Sequence, residues 1–544
     1  MLSNAEGAKE AQRNAEVCFG FIRLYAVHLR SSVAKKDASN PRLAPLFLRK
    51  CNENMTIPSA YLGLEPAAVW RHFGALNLIP RPSGHEQAAV RYVQMLAQEQ
   101  GASWKTDARG NICVRIPPRH ASAEAPTVTL QSHLDMVCQK RPDISHDFET
   151  APIVPRRLDD KIYATGTTLG ADNGLGAAMM LAVLTSPDLV HGPLELLFTV
   201  EEETGLYGAL LLDPELVRGR LLVNLDSEDP DEITIGCAGG ATTNLFVPLQ
   251  REAGEEFVLQ KLSVSGLQGG HSGIQIGEPL ANAIKLLGEM LAEAADNVPA
   301  LRLIEIDGGT AHNAIPRDAS ALVALPARDV ETLESFFESE AREIESKWRA
   351  NEPGLMLRRE VATSSLAPLS LVSTSQIVGL LRDLPHGVAR MSERFAGKVQ
   401  TSSNLAEVHT EGDEMKFSVS NRSFVAEELR QTQADVAALG RTAGARIEAR
   451  DGYPSWEPSG DSPLLRAAAR AFEAATGRAP KIEVVHAGLE CGILSEKLPG
   501  LDAVSFGPLI RGAHTPEEWV SIPSVGDSYG VLVGLLREMA LQSA

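Results

Sequence analysis

Two histidines and a set of carboxylates draw attention because of where they fall along the chain. Thr127-Val-Thr-Leu130 runs toward His133 and Asp135, Leu194–Val200 into Glu201-Glu202-Glu203, Leu221–Leu225 into Asp226, and Ala503–Phe506, after a short loop, toward His514. Each of the four runs is short and largely aliphatic, the pattern of a buried strand. Asp172 is a fifth candidate, within the glycine-rich stretch Gly166-Thr-Thr-Leu-Gly-Ala-Asp172-Asn-Gly-Leu-Gly176 that opens a helix. Crowding several carboxylates into one crevice raises their pKa values or requires a cation. Two divalent ions would meet that requirement. Imidazole nitrogens and carboxylate oxygens suit zinc, at about 2.0 to 2.2 Å with one position kept for water.

Taken singly, each residue has an ordinary explanation. A histidine after a strand is most often a satisfied core or surface residue, a glutamate triplet a solvated turn, and an aspartate among glycines a turn former. Their convergence carries the reading, because four strands deliver them to one sheet edge, and that edge is where ligands bind in a doubly wound sheet.

The elements that must position these residues follow an α/β pattern from Pro66 onward. Ala88–Glu99 reads as an amphipathic helix, Leu175–Leu184 as a helix, and Ile112–Ile116 as a further strand. Alternation of such helices with short apolar strands predicts a mostly parallel sheet. Near residue 240 the texture changes: Gly239-Gly240 leads into a longer alternating strand, Phe257–Val264, and two helices, Leu280–Ala294 and Val330–Ala350. The first style returns near Tyr453-Pro-Ser-Trp-Glu-Pro458, with a helix at Pro463–Thr476 and strands at Ile482–Val485 and Ala503–Phe506. The expectation is an α/β domain in two pieces, 55–240 and 452–544, with an α+β domain inserted at 241–451.

A chain of 544 residues exceeds the roughly 250 to 300 at which single cores stop growing, so more than one domain is required. With 44% hydrophobic and 22% charged residues the composition is that of a soluble globular protein. A formal net charge of -19 argues against nucleic acid as a partner, since that affinity comes from Lys and Arg neutralising phosphates. No apolar run approaches the roughly 18 to 20 residues of a membrane span, so no membrane partner is expected. The cysteines, Cys18, Cys51, Cys113, Cys138, Cys237 and Cys491, are scattered and form no Cys-x-x-Cys pair; they suggest neither a disulfide framework nor a thiolate zinc site and fit a reducing cytoplasm. Residues 1–54 are set apart by nine Lys or Arg against five Asp or Glu. They read as a targeting segment, a poorly ordered basic arm, or a stretch upstream of a start at Met55.

The same residues carry a specific resemblance. Gln131-Ser-His133-Leu-Asp135-Met-Val137, Gly166 to Gly174, Glu201-Glu-Glu-Thr-Gly205, Asp226-Ser-Glu228 with Gly236-Cys-Ala-Gly-Gly240, and His486-Ala-Gly-Leu-Glu490-Cys-Gly492 resemble the aminoacyl-histidine dipeptidases. These belong to the wider dinuclear zinc family of carboxypeptidase G, aminoacylases and carnosinases. The likeness runs from about Met55 to the C-terminus. It implies a zinc-peptidase catalytic domain and, for the inserted domain, a lid. One zinc would be held by His133, Asp172 and Asp226 and the other by Asp172, Glu203 and His514, with manganese or cobalt as alternatives. Asp135 would hydrogen-bond His133 and fix its tautomer. Glu202 would be the general base, taking a proton from the water bridging the zincs and passing it to the leaving amine; this choice rests on alignment to Thr204-Gly205 rather than on spacing.

In the inserted domain, Gly269-Gly-His271-Ser-Gly273, Ala281-Asn282-Ala283, His312-Asn313-Ala-Ile-Pro-Arg317 and Arg422-Ser423 are similar to the family's lid motifs. The resemblance implies that His271 stabilises the oxyanion and that Asn313 and Arg422 hold the substrate's terminal carboxylate. It also implies a homodimer formed through the lid. The chain departs from the family after Thr401-Ser-Ser-Asn404, where Leu405-Ala-Glu407 replaces glycine and small apolar residues. The function so implied is hydrolysis of small dipeptides, Xaa-His such as β-alanyl-histidine. The rival readings are an N-acyl amino acid deacylase with the same metals and a non-catalytic member that keeps the fold.

Overall fold

The computed structural model describes residues 57–253, 256–458 and 462–541; the readings of residues 1–54 lie outside them. By their internal contacts these residues form two compact units. One comprises the described residues through Ile235, Pro458–Glu483 and those from Ile493 onward; the other comprises Gly236–Glu457 and Val484–Gly492.

The first unit is organised by a sheet whose strands follow the spatial order Ser103–Thr106, Ile112–Ile116, Leu194–Thr199, Val128–His133, Leu221–Asn224 and Asp502–Ser505, with Glu232–Cys237 and Lys481–Val485 completing the eight. The four strands from Leu194–Thr199 to Asp502–Ser505 are mutually parallel, in registers such as Val128 opposite Leu194 and Ala503 opposite Leu222. Antiparallel pairings flank them on either side. Val128–His133 and Leu194–Thr199 are buried along their whole length, as parallel strands covered on both faces must be.

Val128–His133 extends past the expected end at Leu130. Gln131 and Ser132 read as loop residues because they are polar, but both are buried and hydrogen-bonded: Gln131 donates to Thr199 Oγ1 at 3.2 Å and accepts from Asn224 at 2.6 Å, and Ser132 donates to Asn173 O at 3.1 Å. His133 is therefore the last residue of its strand, not a loop residue beyond it.

Two helices follow from composition. Gln87–Glu99 buries Ala89, Tyr92, Val93, Leu96 and Ala97, one stripe at helical spacing. Ala171–Thr185 buries every residue from Asn173 to Leu184; a helix apolar all round belongs inside.

The second unit has a nine-stranded sheet whose main path runs Met356–Val361, Phe257–Ser265, Ala319–Pro326, Arg302–Gly308, Val399–Glu411, Glu414–Ser423, Gly239–Pro248 and Arg446–Tyr453. Its pairings are antiparallel. Leu245, Leu262, Leu287, Leu303, Val323, Phe417 and Val436 lie in its core. The helix expected from Leu280 starts at Ala283, because Asn282 caps it by accepting from Ile284 N and Lys285 N. The charged helix Val330–Trp348 buries only Leu333, Phe337 and Ile344. Among the described residues no helix is long and apolar enough to cross a membrane.

Candidate metal centre

Because the four central strands are neighbours and parallel, their C-terminal ends share one edge of the first unit. His133 closes one strand, Glu201-Glu202-Glu203 and Asp226 follow two others, and His514 lies beyond the fourth, on the loop after the short strand Ile510–Arg511. Asp172 arrives from the start of Ala171–Thr185, where its φ of -77° and ψ of 113° depart from the helix.

All five sequence candidates meet there. His133 Nε2 lies 3.0 Å from Asp172 Oδ1 and 3.5 Å from Asp226 Oδ1. His514 Nε2 lies 3.1 Å from Asp172 Oδ2 and 3.1 Å from Glu203 Oε2. The two oxygens of Asp172 thus face different histidines. Donor atoms of His133, Asp172 and Asp226 lie within 4.8 Å of one another, as do those of Asp172, Glu203 and His514, and those of His133, Glu202 and Glu203.

The electrostatics show what the cluster lacks as protein alone. Burial disfavours charge on His133, yet Asp226 and hydrogen bonds to Asp135, Asp172 and Asp226 push its pKa well above the usual value. Hydrogen bonds to Asp172 and Glu203 raise His514 to about 11. Burial and the charge of Asp172 raise Glu203, and burial raises Asp226. Burial would raise Asp172 as well, but hydrogen bonds from both histidines outweigh it and hold the group below its ordinary value. Glu203 Oε1 is buried and has no hydrogen-bond partner among the described residues. Two imidazoles, three carboxylates and an unused buried oxygen form a donor set that fits a pair of divalent cations better than a set of protons.

A layer behind these residues fixes them. Asp135 is fully buried; Oδ1 lies 3.3 Å from His133 Nδ1 and accepts from Glu202 N at 3.1 Å, while Oδ2 accepts from Glu203 N at 3.1 Å and Ser83 Oγ at 2.7 Å. Glu201 turns elsewhere: its N–H donates to Glu86 and its carboxylate pairs with Arg109. That leaves Glu202 and Glu203 to the cluster.

Three of these groups escaped sequence reading. Arg81, buried between Pro80 and Pro82, donates to Leu134 O, Asp135 O and Gly170 O at 3.0, 2.8 and 2.6 Å. Glu86 and Glu518 are buried carboxylates serving backbone amides. Burial raises Glu518 to about 7 despite those hydrogen bonds. Only the two prolines around Arg81 hinted at an unusual loop, and nothing in the sequence set Glu518 apart from the solvated Glu517.

The second unit gathers the other named residues. A short ribbon pairs Gly270 with Ile315 and His271 with Ala314, and Ser272 N donates to Asn313 O at 2.9 Å. His271 Nδ1 accepts from Ile274 N at 3.0 Å and Gly273 N at 3.3 Å, so the neutral ring carries its proton on Nε2. Arg422, largely buried in the Glu414–Ser423 strand, donates to Tyr453 Oη at 2.5 Å. A Cβ on Gly273 would come within 3.0 Å of Arg422 Nε and 2.2 Å of His486 O, which places the His271 turn against both. The departure at Leu405-Ala-Glu407 lies within the Val399–Glu411 strand: Leu405 and Ala406 are core residues and Glu407 pairs with Lys416 at 3.1 Å.

Comparison with known proteins gives concordant findings. The family model described as peptidase family M20/M25/M40 matches residues 129–538. The chain is 39% identical over 477 residues to the cytosol non-specific dipeptidase of Escherichia coli (strain K12), covering 88% of this chain and 98% of the relative. Its fold matches the crystal structure of aminoacylhistidine dipeptidase from Vibrio alginolyticus with a TM-score of 0.80 at 37% identity, over 88% and 98% of the two chains. A likeness in fold alone, TM-score 0.53 at 17% identity, extends to aminopeptidase PepT of Bacillus cereus over 88% of this chain and 99% of that one.

Proposed function

The chain belongs to peptidase family M20/M25/M40, and from that premise we propose that it is a dinuclear zinc dipeptidase of the cytoplasm that cleaves Xaa-His dipeptides such as β-alanyl-histidine. The observation that carries this reading is the placement of Asp172, with one carboxylate oxygen toward His133 and the other toward His514. Names of the relatives support dipeptides as substrates, one being described as non-specific and one as an aminoacylhistidine dipeptidase.

His133, Asp172 and Asp226 would hold one cation and Asp172, Glu203 and His514 the other. Bound there, the pair would polarise the scissile carbonyl and lower the pKa of the attacking water. Glu202, on the same turn as Glu203, takes the proton of that water and returns it to the leaving amine. Asp135 keeps His133 in the tautomer that leaves Nε2 available and anchors both glutamate amides. His271, with its proton on Nε2, gives a hydrogen bond to the developing oxyanion. Arg422, steadied by Tyr453, and Asn313 take the terminal carboxylate.

A substrate panel run with and without chelator tests the reading. Hydrolysis of β-alanyl-histidine and glycyl-histidine, abolished by chelation and restored by zinc, is expected. Preference for N-acetyl amino acids would replace the dipeptidase by a deacylase, and chelator-resistant turnover would end the metal reading.

A further inference from the structure

Two loops distant in sequence meet at one buried carboxylate. Glu518 is 1% exposed. Its Oε2 accepts from Leu169 N at 2.6 Å and Gly170 N at 3.0 Å, and its Oε1 from Ala171 N at 2.7 Å and Asp172 N at 3.4 Å. These are the successive amides of the turn that delivers Asp172. Glu518 itself ends the loop that carries His514: its N–H donates to Thr515 O and Thr515 N–H to Gly512 O, both at 3.1 Å. On the far side of the turn, Arg81 holds Gly170 O, and a Cβ on Gly170 would lie 2.5 Å from Arg81 Nη2. The turn therefore has an acceptor for its amides in Glu518 and a donor for its Gly170 carbonyl in Arg81, and no room for a side chain at Gly170.

We propose that Glu518 is a positioning residue which sets the separation of Asp172 and His514, and so the affinity for the cation that these two share with Glu203. The inference rests on the two-cation reading above. An ionised carboxylate offers about four acceptor sites for the four amides, whereas a glutamine turns an NH₂ toward backbone donors. Ligand distances in metal sites keep to within about 0.2 Å of their standard values, so a small relaxation of either loop weakens the bond to the cation.

The test is competition for zinc between a chromophoric chelator and the full-length chain, wild type against E518Q, with the melting temperature of each metal-free protein alongside. In wild type two binding steps are expected. In E518Q the step for the cation of Asp172, Glu203 and His514, two of whose ligands lie on the loops that Glu518 ties, is expected to weaken by about 10- to 100-fold, the range for groups that orient metal ligands. The other step, which shares only Asp172, weakens less, and the metal-free melting temperature moves little. Two steps of wild-type affinity in E518Q, or an equal loss of both alongside a fallen metal-free melting temperature, would overturn the role of Glu518. A wild type that binds fewer than two cations at saturation overturns instead the reading on which it rests. Should E518Q not fold, the comparison moves to E518D, where lost reach is expected to weaken the same step and wild-type affinity refutes the proposal.

Discussion

Adjacent glutamates of one turn can carry different tasks because Asp135 fixes the amides of both, so their side chains diverge from a common anchor. Glu203 reaches His514, while Glu202 is grouped with His133 and Glu203 but not with Asp172 and His514. In E202Q, kcat/KM is expected to fall by about 10²- to 10⁴-fold, the usual share of a general base, with zinc content unchanged. Loss of zinc along with activity would make Glu202 a ligand instead. Strand ends were enough to single out His133, Asp226 and His514, and a glycine-rich turn opening a helix did so for Asp172. Which two of Glu201, Glu202 and Glu203 enter the cluster was not legible, since a strand end is uncertain by a residue and the deciding contact, Arg109 with Glu201, spans 92 positions. Arg81 and Glu518 were invisible for a related reason: a buried charge has no periodicity, and its partners here are backbone atoms, which any sequence supplies.

Elements were most legible where periodicity was strong, as in Ile112–Ile116 and Pro463–Thr476, whose bounds the structure reproduces. They were least legible where buried polar side chains extend a strand, as at Gln131 and Ser132. Glycines in helices show the same limit, because their effect depends on distant neighbours. Replacing a helical glycine by alanine ordinarily stabilises by about 0.8 to 1.0 kcal/mol. At Gly176, however, a Cβ would lie 2.0 Å from Asn173 Oδ1 and 2.6 Å from the backbone oxygen of Leu225. Overpacking of this kind costs about 1 to 3 kcal/mol or more, and both neighbours adjoin Asp226: one precedes it, and the other donates a hydrogen bond to its carboxylate. The close approach should win, so G176A is expected to lower stability in urea denaturation. G526A, in the Ile522–Ala540 helix with nothing among the described residues within 4 Å of the new methyl, is expected to raise it. Stabilisation by both substitutions would show that the turn yields to the added methyl.

At the scale of the whole chain, the five groups that would hold the cations lie in the first unit, while the second is built around a core drawn from its own residues. A ligand that binds only the folded state stabilises it by about 2.7 kcal/mol at a hundredfold excess over its dissociation constant. Removing the cations should therefore act unevenly along the sequence. Without them, the first unit must also hold together the buried His133, the more exposed His514 and three carboxylates whose ionisation burial opposes. Hydrogen exchange measured with saturating zinc and then with chelator should show protection falling by up to about 100-fold in amides around 128–135, 169–176, 199–205, 222–227 and 505–518. The strands Phe257–Ser265 and Ala319–Pro326 should exchange as before. An equal loss in both units would mean that they open as one cooperative body. If protection were unchanged throughout, the cluster would be stable as protein alone, and the carboxylates at the end of the sheet would need no metal to account for them.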